Sequence, residues 1–197
     1  MNTGNKIKEY YDLELHNASD INEHLPTLMT YANQCESVVE MGVRSIVSTW
    51  AFLNSTTKKL TSIDVKNPTS FPNHTKTPNS TDLVKSLASE KGMEFEFILS
   101  STLDIEIEET DLLFIDTYHT YGQLSKELEK HSSKAKKFII LHDTEKFGTK
   151  GEDGGEGLNK AVRELIERDS NWVFDKVYKN NNGLTVLKRT DETDYNI

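Results

Sequence analysis

The chain has 197 residues, enough for one domain with a real core and too many for a disulfide-stapled miniprotein. Apolar residues make up 35% and charged residues 28%, and 23 Lys and Arg against 32 Asp and Glu leave a formal charge of −9, which argues against a basic footprint for nucleic acid. The single cysteine, Cys35, can close no internal disulfide and supplies no thiolate cluster for structural zinc, so a reducing, cytoplasmic setting is expected.

The N-terminus, MNTGNKIKEYYDLELHN, is polar and lacks a signal-peptide core. No later stretch nears the roughly 18–20 apolar residues that span a bilayer, so no membrane partner is expected. Residues 1–20 read as an extension. Ser19 or Asp20 is placed to cap a helix over 21–33, with Glu23 completing a capping box with Asp20. Short runs rich in Val, Ile, Leu and Phe then recur over 37–43, 60–65, 95–100, 111–116 and 137–143, the pattern of parallel strands buried on both faces. Between them, 46–54, 81–91, 121–131 and 156–169 carry the apolar spacing of surface helices. The polar run 67–80, with three of the four prolines, reads as a long loop. Near the end, 172–179 alternates, Asn180-Asn181-Asn182-Gly183 tolerates positive φ, and 184–188 is apolar again, which predicts a hairpin. These elements predict an α/β, doubly wound, Rossmann-like seven-stranded sheet, mostly parallel with a C-terminal antiparallel hairpin and helices on both faces. The domain is expected over 21–189, with a frayed tail at 190–197.

In an open parallel sheet, ligands bind beyond the carboxyl ends of the strands. Here those ends are polar: Glu40-Met41-Gly42-Val43-Arg44-Ser45, then Asp64, Ser100-Ser101, Asp116-Thr117-Tyr118-His119 and His142-Asp143-Thr144. Gly42 permits close backbone approach to a ligand, though one glycine with Ser45 as a cap also serves an ordinary tight turn. The missing G-x-G-x-x-G argues against a dinucleotide pyrophosphate, and Glu40 suits a cationic or hydroxyl-bearing ligand instead. Asp64, about twenty residues on, is placed to accept ribose hydroxyls. Asp116, His142 and Asp143 are hard or borderline donors ending adjacent strands, suited to one divalent ion that lowers the pKa of a substrate hydroxyl, with manganese favoured over calcium. His119, with an ordinary pKa near 6.5, is the candidate general base at neutral pH. Tyr118 and Tyr121 either line an acceptor pocket or cover the helix. The glycine-rich run 146–155 is expected to be a substrate lid.

The ordered series VVEMGVRS, LTSIDV, FILSS, DLLFIDTYHTYGQLSKELE and KFIILHDT resembles the class I S-adenosylmethionine-dependent methyltransferases, close to the small metal-associated O-methyltransferases, over residues 22–188. The resemblance implies that Glu40, Gly42, Arg44 and Ser45 face the methionine part of S-adenosylmethionine, Asp64 the ribose, and Ser100, Ser101 and Thr102 the adenine edge. It implies an ion, Mg or Mn, at positions matching Asp116 and Asp143. Family members often carry an acidic residue where this chain has Ser100-Ser101-Thr102, a place Asp104 can take, and Arg44 and Ser48 stand where further glycines are usual. The function so implied is O-methylation of a small-molecule or carbohydrate hydroxyl, with a homodimer as a compatible assembly. A catalytically silent nucleotide-binding module and a metal-dependent hydrolase or hydroxylase remain the alternatives.

Overall fold

The apolar runs settle side by side, and the central ones read as continuous hydrophobic stretches because they are covered on both faces, whereas the edge run over 94–99 alternates between buried and exposed positions. In the computed structural model, which describes residues 3–72 and 75–190, they are β1 (Ser37–Met41), β2 (Lys59–Asp64), β3 (Glu94–Leu99), β4 (Thr110–Ile115) and β5 (Ala135–His142). The hairpin follows as β6 (Trp172–Tyr178) and β7 (Leu184–Arg189). The strand order is β3-β2-β1-β4-β5-β7-β6. The first five strands pair in parallel, and β7 runs antiparallel to both β5 and β6. The order reverses between β1 and β4, so the crevice beyond their carboxyl ends is the place for a ligand.

Alternation along the strands builds two apolar layers. On one face Val38, Leu60, Leu112, Phe114 and Ile140 pack with α1 (Thr3–Leu15), α2 (Leu25–Ala32), α3 (Val47–Leu53) and α4 (Thr81–Lys91). On the other, Val39, Met41, Leu113, Ile115 and Ile139 pack with α5 (Tyr121–His131) and α6 (Leu158–Arg168).

The N-terminal segment departs from expectation in three ways. Thr3–Leu15 is helical and buries Ile7 and Tyr11 against the core, although its sequence is mostly polar. The helix expected over 21–33 begins as a 3-10 turn, Asn22–His24, and becomes α2 only at Leu25, because Pro26 fits the first turn of an α-helix but not its interior. The capping box does not form: Ser19 Oγ accepts the Asn22 N–H at 3.0 Å, Asp20 pairs with Arg44, and Glu23 accepts from Asn180 Nδ2 at 2.6 Å. The C-terminal tail, apart from Thr190, lies outside the described residues. Among the described residues no helix is long and apolar enough to cross a membrane.

Candidate active site

The first turn is shaped by a collision it avoids. Gly42 has φ +87, and a Cβ there would lie 1.9 Å from the Asp116 carbonyl oxygen. The chain leaving β1 therefore passes in contact with the end of β4. Beyond it, Arg44 (φ 48) and Ile46 (φ 66) adopt left-handed backbone without being glycine, so a glycine-like conformation is kept at Arg44, while Ser48 lies within α3. Asp64 holds that shape: its Oδ2 accepts the Val43 and Arg44 N–H groups, each at 2.8 Å, and its Oδ1 accepts Lys66 N–H at 2.8 Å. A carboxylate offers about four lone-pair sites, so Asp64 retains capacity for a ligand beyond the three backbone donors.

Glu40 does not face the cavity. It is fully buried beneath it, accepting hydrogen bonds from Ser48 Oγ (2.6 Å), Thr49 Oγ1 (2.9 Å) and Ser62 Oγ (2.6 Å). It therefore ties β1 to β2 and α3 and is not among the residues lining the cavity, where the resemblance implied that it faces the methionine part of a cofactor. Burial pushes its pKa up to about 7 against the pull of the three hydroxyls. Its contribution to stability is thus fully present below about pH 4.5 and is lost as pH rises to about 7, in total about 3 kcal/mol. Unfolding titrations of the wild type and Glu40→Gln should show this slope in their difference between pH 4.5 and 7; a flat difference would mean the carboxyl is ionised throughout.

Above Glu40 lies a cavity of about 560 Å³, lined by residues 17–21, 42–45, 64–65, 100–102 and 116–119, with Asp143 at one end. The cavity thus gathers Gly42, Arg44, Ser45, Asp64, Ser100, Ser101, Thr102, Asp116 and His119, whereas Glu40 and His142 are not among its lining residues. Arg44 Nη1 reaches Asp20 Oδ2 at 2.7 Å, joining the first turn to the N-terminal strap across this space. Tyr118 is on the wall, whereas the Tyr121 hydroxyl turns away to Glu164 at 2.9 Å.

At the Asp143 end two imidazoles meet two carboxylates. His142 Nε2 lies 3.0 Å from the Asp20 carbonyl and 3.2 Å from that of Asn181. Carbonyls only accept, so Nε2 carries a proton and Nδ1 turns to Asp116 Oδ1 and Asp143 Oδ2, each 3.3 Å away. Neither contact is aligned as a hydrogen bond: His142 Nδ1 and Asp143 Oδ1 are buried polar atoms without a hydrogen-bond partner among the described residues. Asp143 itself sits at φ 60, a conformation aspartate tolerates better than most residues.

His119 completes the cluster. Its Nε2 is 2.8 Å from Asp143 Oδ2 and 3.3 Å from Asp116 Oδ1, and its Nδ1 is 3.0 Å from Glu152 Oε2. Burial alone would lower its pKa, but Asp116 and Asp143 outweigh that and raise it to about 10. The same balance raises His142 well above its ordinary value and holds Asp116 down near 2 and Asp143 lower still. Asp116 and Asp143 thus favour the imidazolium form of His119 at neutral pH, against the expected ordinary pKa near 6.5. The loop expected to be a lid is docked on it: Phe147 stacks on the ring at 4.8 Å, and Glu152 N–H donates to the His119 carbonyl at 2.9 Å. Glu152, Phe147 and the Asn181 carbonyl were absent from the sequence-derived site; only the proximity of the glycine-rich run to His142-Asp143 pointed toward the first two.

No family model matches this chain, and no curated protein sequence does. Solved structures do. A methyltransferase from Podospora anserina with SAH bound superimposes with a TM-score of 0.58 at 14% identity, over 94% of this chain and 88% of that one. The fold is that of the class I methyltransferases. The O-methyltransferase from Bacillus cereus in complex with SAH gives 0.57 at 15% identity, over 96% and 91% of the two chains. The N-methyltransferase NodS from Bradyrhizobium japonicum gives 0.56 at 12%, over 87% and 97%. The methyltransferase fold thus serves acceptors of both kinds, and the choice between them rests on the residues of this site.

Proposed function

We propose that this protein transfers a methyl group from S-adenosylmethionine to a hydroxyl oxygen of a small-molecule or sugar acceptor, assisted by a divalent cation. The observation that carries this reading is the single cavity running from Asp64, a carboxylate with spare acceptor capacity, to the Asp116–His119–Asp143 cluster. Its volume is within the range of about 300–1,000 Å³ usual for ligand sites. S-Adenosylmethionine, when bound, supplies an electrophilic methyl group. Asp64 and the 42–45 turn would hold its ribose and methionine portions, and Ser100, Ser101 and Thr102 its base.

The cluster fits a metal. One donor atom from each of Asp116, His142 and Asp143 falls within 4.8 Å of the others. The two 3.3 Å separations match ligands about 2.1 Å from a common ion, which lie about 3.0–3.4 Å apart between octahedral and tetrahedral angles. The unpartnered His142 Nδ1 gains a role as donor, with its tautomer set by the Asp20 and Asn181 carbonyls. Two carboxylates and one imidazole suit Mn or Mg, either of which would polarise an acceptor hydroxyl. That donor chemistry favours an oxygen acceptor. His119 holds its Nε2 proton against Asp143 Oδ2; it becomes a proton acceptor only when another cation takes up the charge of Asp116 and Asp143.

Calorimetry with S-adenosylmethionine and S-adenosylhomocysteine tests the first link, and no binding of either at millimolar concentration would end this reading. In the same titration Asp64→Ala is expected to weaken binding about 10–100-fold, the worth of a charge-assisted hydrogen-bond pair. Because Asp64 also anchors the first turn, the melting temperature should fall with it. Unchanged affinity would remove Asp64 from the site. Screening sugars and catechols for a mass gain of one methylene identifies the acceptor.

A further inference from the structure

The mechanism leaves the buried acid Glu127 unused. Glu127, on α5, is fully buried, and three donors converge on it: Thr102 Oγ1 at 2.6 Å and Gln123 Nε2 at 2.9 Å reach its Oε1, and Thr117 Oγ1 at 2.8 Å reaches its Oε2. Gln123 lies one helical turn before it, and Gln123, Thr102 and Thr117 all line the cavity. Glu127 therefore acts beneath the wall as the common acceptor for three side chains of that wall.

This arrangement fixes which way the Gln123 carboxamide points. An ionised carboxylate only accepts, so the Gln123 group facing Oε1 is its NH2. The Thr102 hydroxyl spends its proton on Glu127 and accepts at its lone pairs, so it too receives Gln123 Nε2, at 3.3 Å. With both contacts taken by NH2, the carboxamide oxygen is left without a hydrogen-bond partner among the described residues, on a side chain that lines the cavity beside Ser101 and Thr102. His131 Nε2, 2.7 Å from the Thr102 carbonyl, holds the same loop from behind. The group of Gln123 left to meet a ligand is thus an acceptor, on a frame braced from behind.

We infer that Gln123 selects for a base carrying an exocyclic amino group, and that Glu127 is the positioning residue that sets its orientation. The inference rests on the reading of this cavity as an S-adenosylmethionine site. Adenine presents an amino donor at N6, which the Gln123 oxygen can accept; the deaminated base presents a carbonyl there, which it would repel. No acidic residue is then needed in the turn after β3, where Ser100, Ser101 and Thr102 stand instead.

The test is calorimetry of S-adenosylhomocysteine against its deaminated analogue, S-inosylhomocysteine, on the whole chain. The wild type is expected to prefer the adenine form by about tenfold or more, because a site built around one hydrogen bond rejects the ligand that cannot make it. Gln123→Met, which keeps length and helix propensity but removes the acceptor, should bring the ratio within about threefold, chiefly by weakening the adenine form. Glu127→Gln, free to offer either oxygen or NH2 to Gln123, should narrow the ratio as well. A merely structural role would weaken both ligands alike and leave the ratio in place. Retention of the wild-type ratio in Gln123→Met, or no preference in the wild type, would overturn the inference. A wild type that binds neither compound would instead overturn the cofactor reading beneath it.

Discussion

His119→Ala is expected to lower turnover by about 10²–10⁴ while changing S-adenosylhomocysteine affinity little, the usual range for loss of a general base. The effect should be specific to chemistry because His119 contacts Asp116 and Asp143, while Asp64 is bonded to the turn after β1. The pH dependence carries the more discriminating information. Asp116 and Asp143 raise the His119 pKa to about 10, so its basic form is scarce at neutral pH. With chelator present, the rate should be low at pH 7 and rise toward alkaline pH. Saturating Mg or Mn would take up the charge of Asp116 and Asp143, remove the main force that raises the His119 pKa, and move the rising limb toward neutrality. Asp143→Asn should raise the metal concentration needed for half-maximal rate, since a hard-cation site loses a negative ligand. A limb that stays in place with and without metal would put the ion elsewhere; wild-type turnover in His119→Ala would leave that histidine as a counter-ion only.

The sheet was legible because burial on both faces leaves a continuous apolar mark, and the hairpin because three asparagines and a glycine can hold positive φ, as Asn181, Asn182 and Gly183 do. The polar strand ends were legible because they close apolar runs, and several of them line one cavity in the structure. What the sequence hid was direction. Glu40 stands between Val39 and Met41, and its side chain enters a pocket of hydroxyls supplied by β2 and α3, at separations no local pattern encodes. Helix α1 was hidden because its polar surface outweighs the few positions it buries. The His142 tautomer depends on the carbonyls of Asp20 and Asn181, 122 and 39 residues away. Glu127 looked like one of many charges on an amphipathic helix, and only its burial among Thr102, Thr117 and Gln123 distinguishes it. The three carboxylate neighbours of His119 arrive from the end of β4, the end of β5 and the following loop, a convergence no local pattern encodes.

Gly42→Ala is the substitution expected to damage the fold most for its size. Two effects act together: φ +87 strains any side chain, and the added Cβ would lie 1.9 Å from the Asp116 carbonyl oxygen and 3.2 Å from Thr117 N, both backbone atoms that cannot rotate aside. Gly92, which ends α4 at φ +80, separates these contributions, since a Cβ there meets nothing within 4 Å. Gly92→Ala should therefore lose only the conformational part, about 1 kcal/mol. Gly42→Ala should lose at least about 3 kcal/mol, a fall in melting temperature of roughly 6–12 °C for a domain of this size. Relief of the clash requires β1 and β4 to part where the first turn meets Asp116, so the loss should not be confined to stability. Displacing Asp116 disturbs its 3.3 Å contacts with His119 and His142, and Mn affinity measured at a temperature where the variant is folded should fall as well. If Gly42→Ala melts no earlier than Gly92→Ala, the turn has room to move off β4, and the close approach of Gly42 to Asp116 is not what builds the cavity.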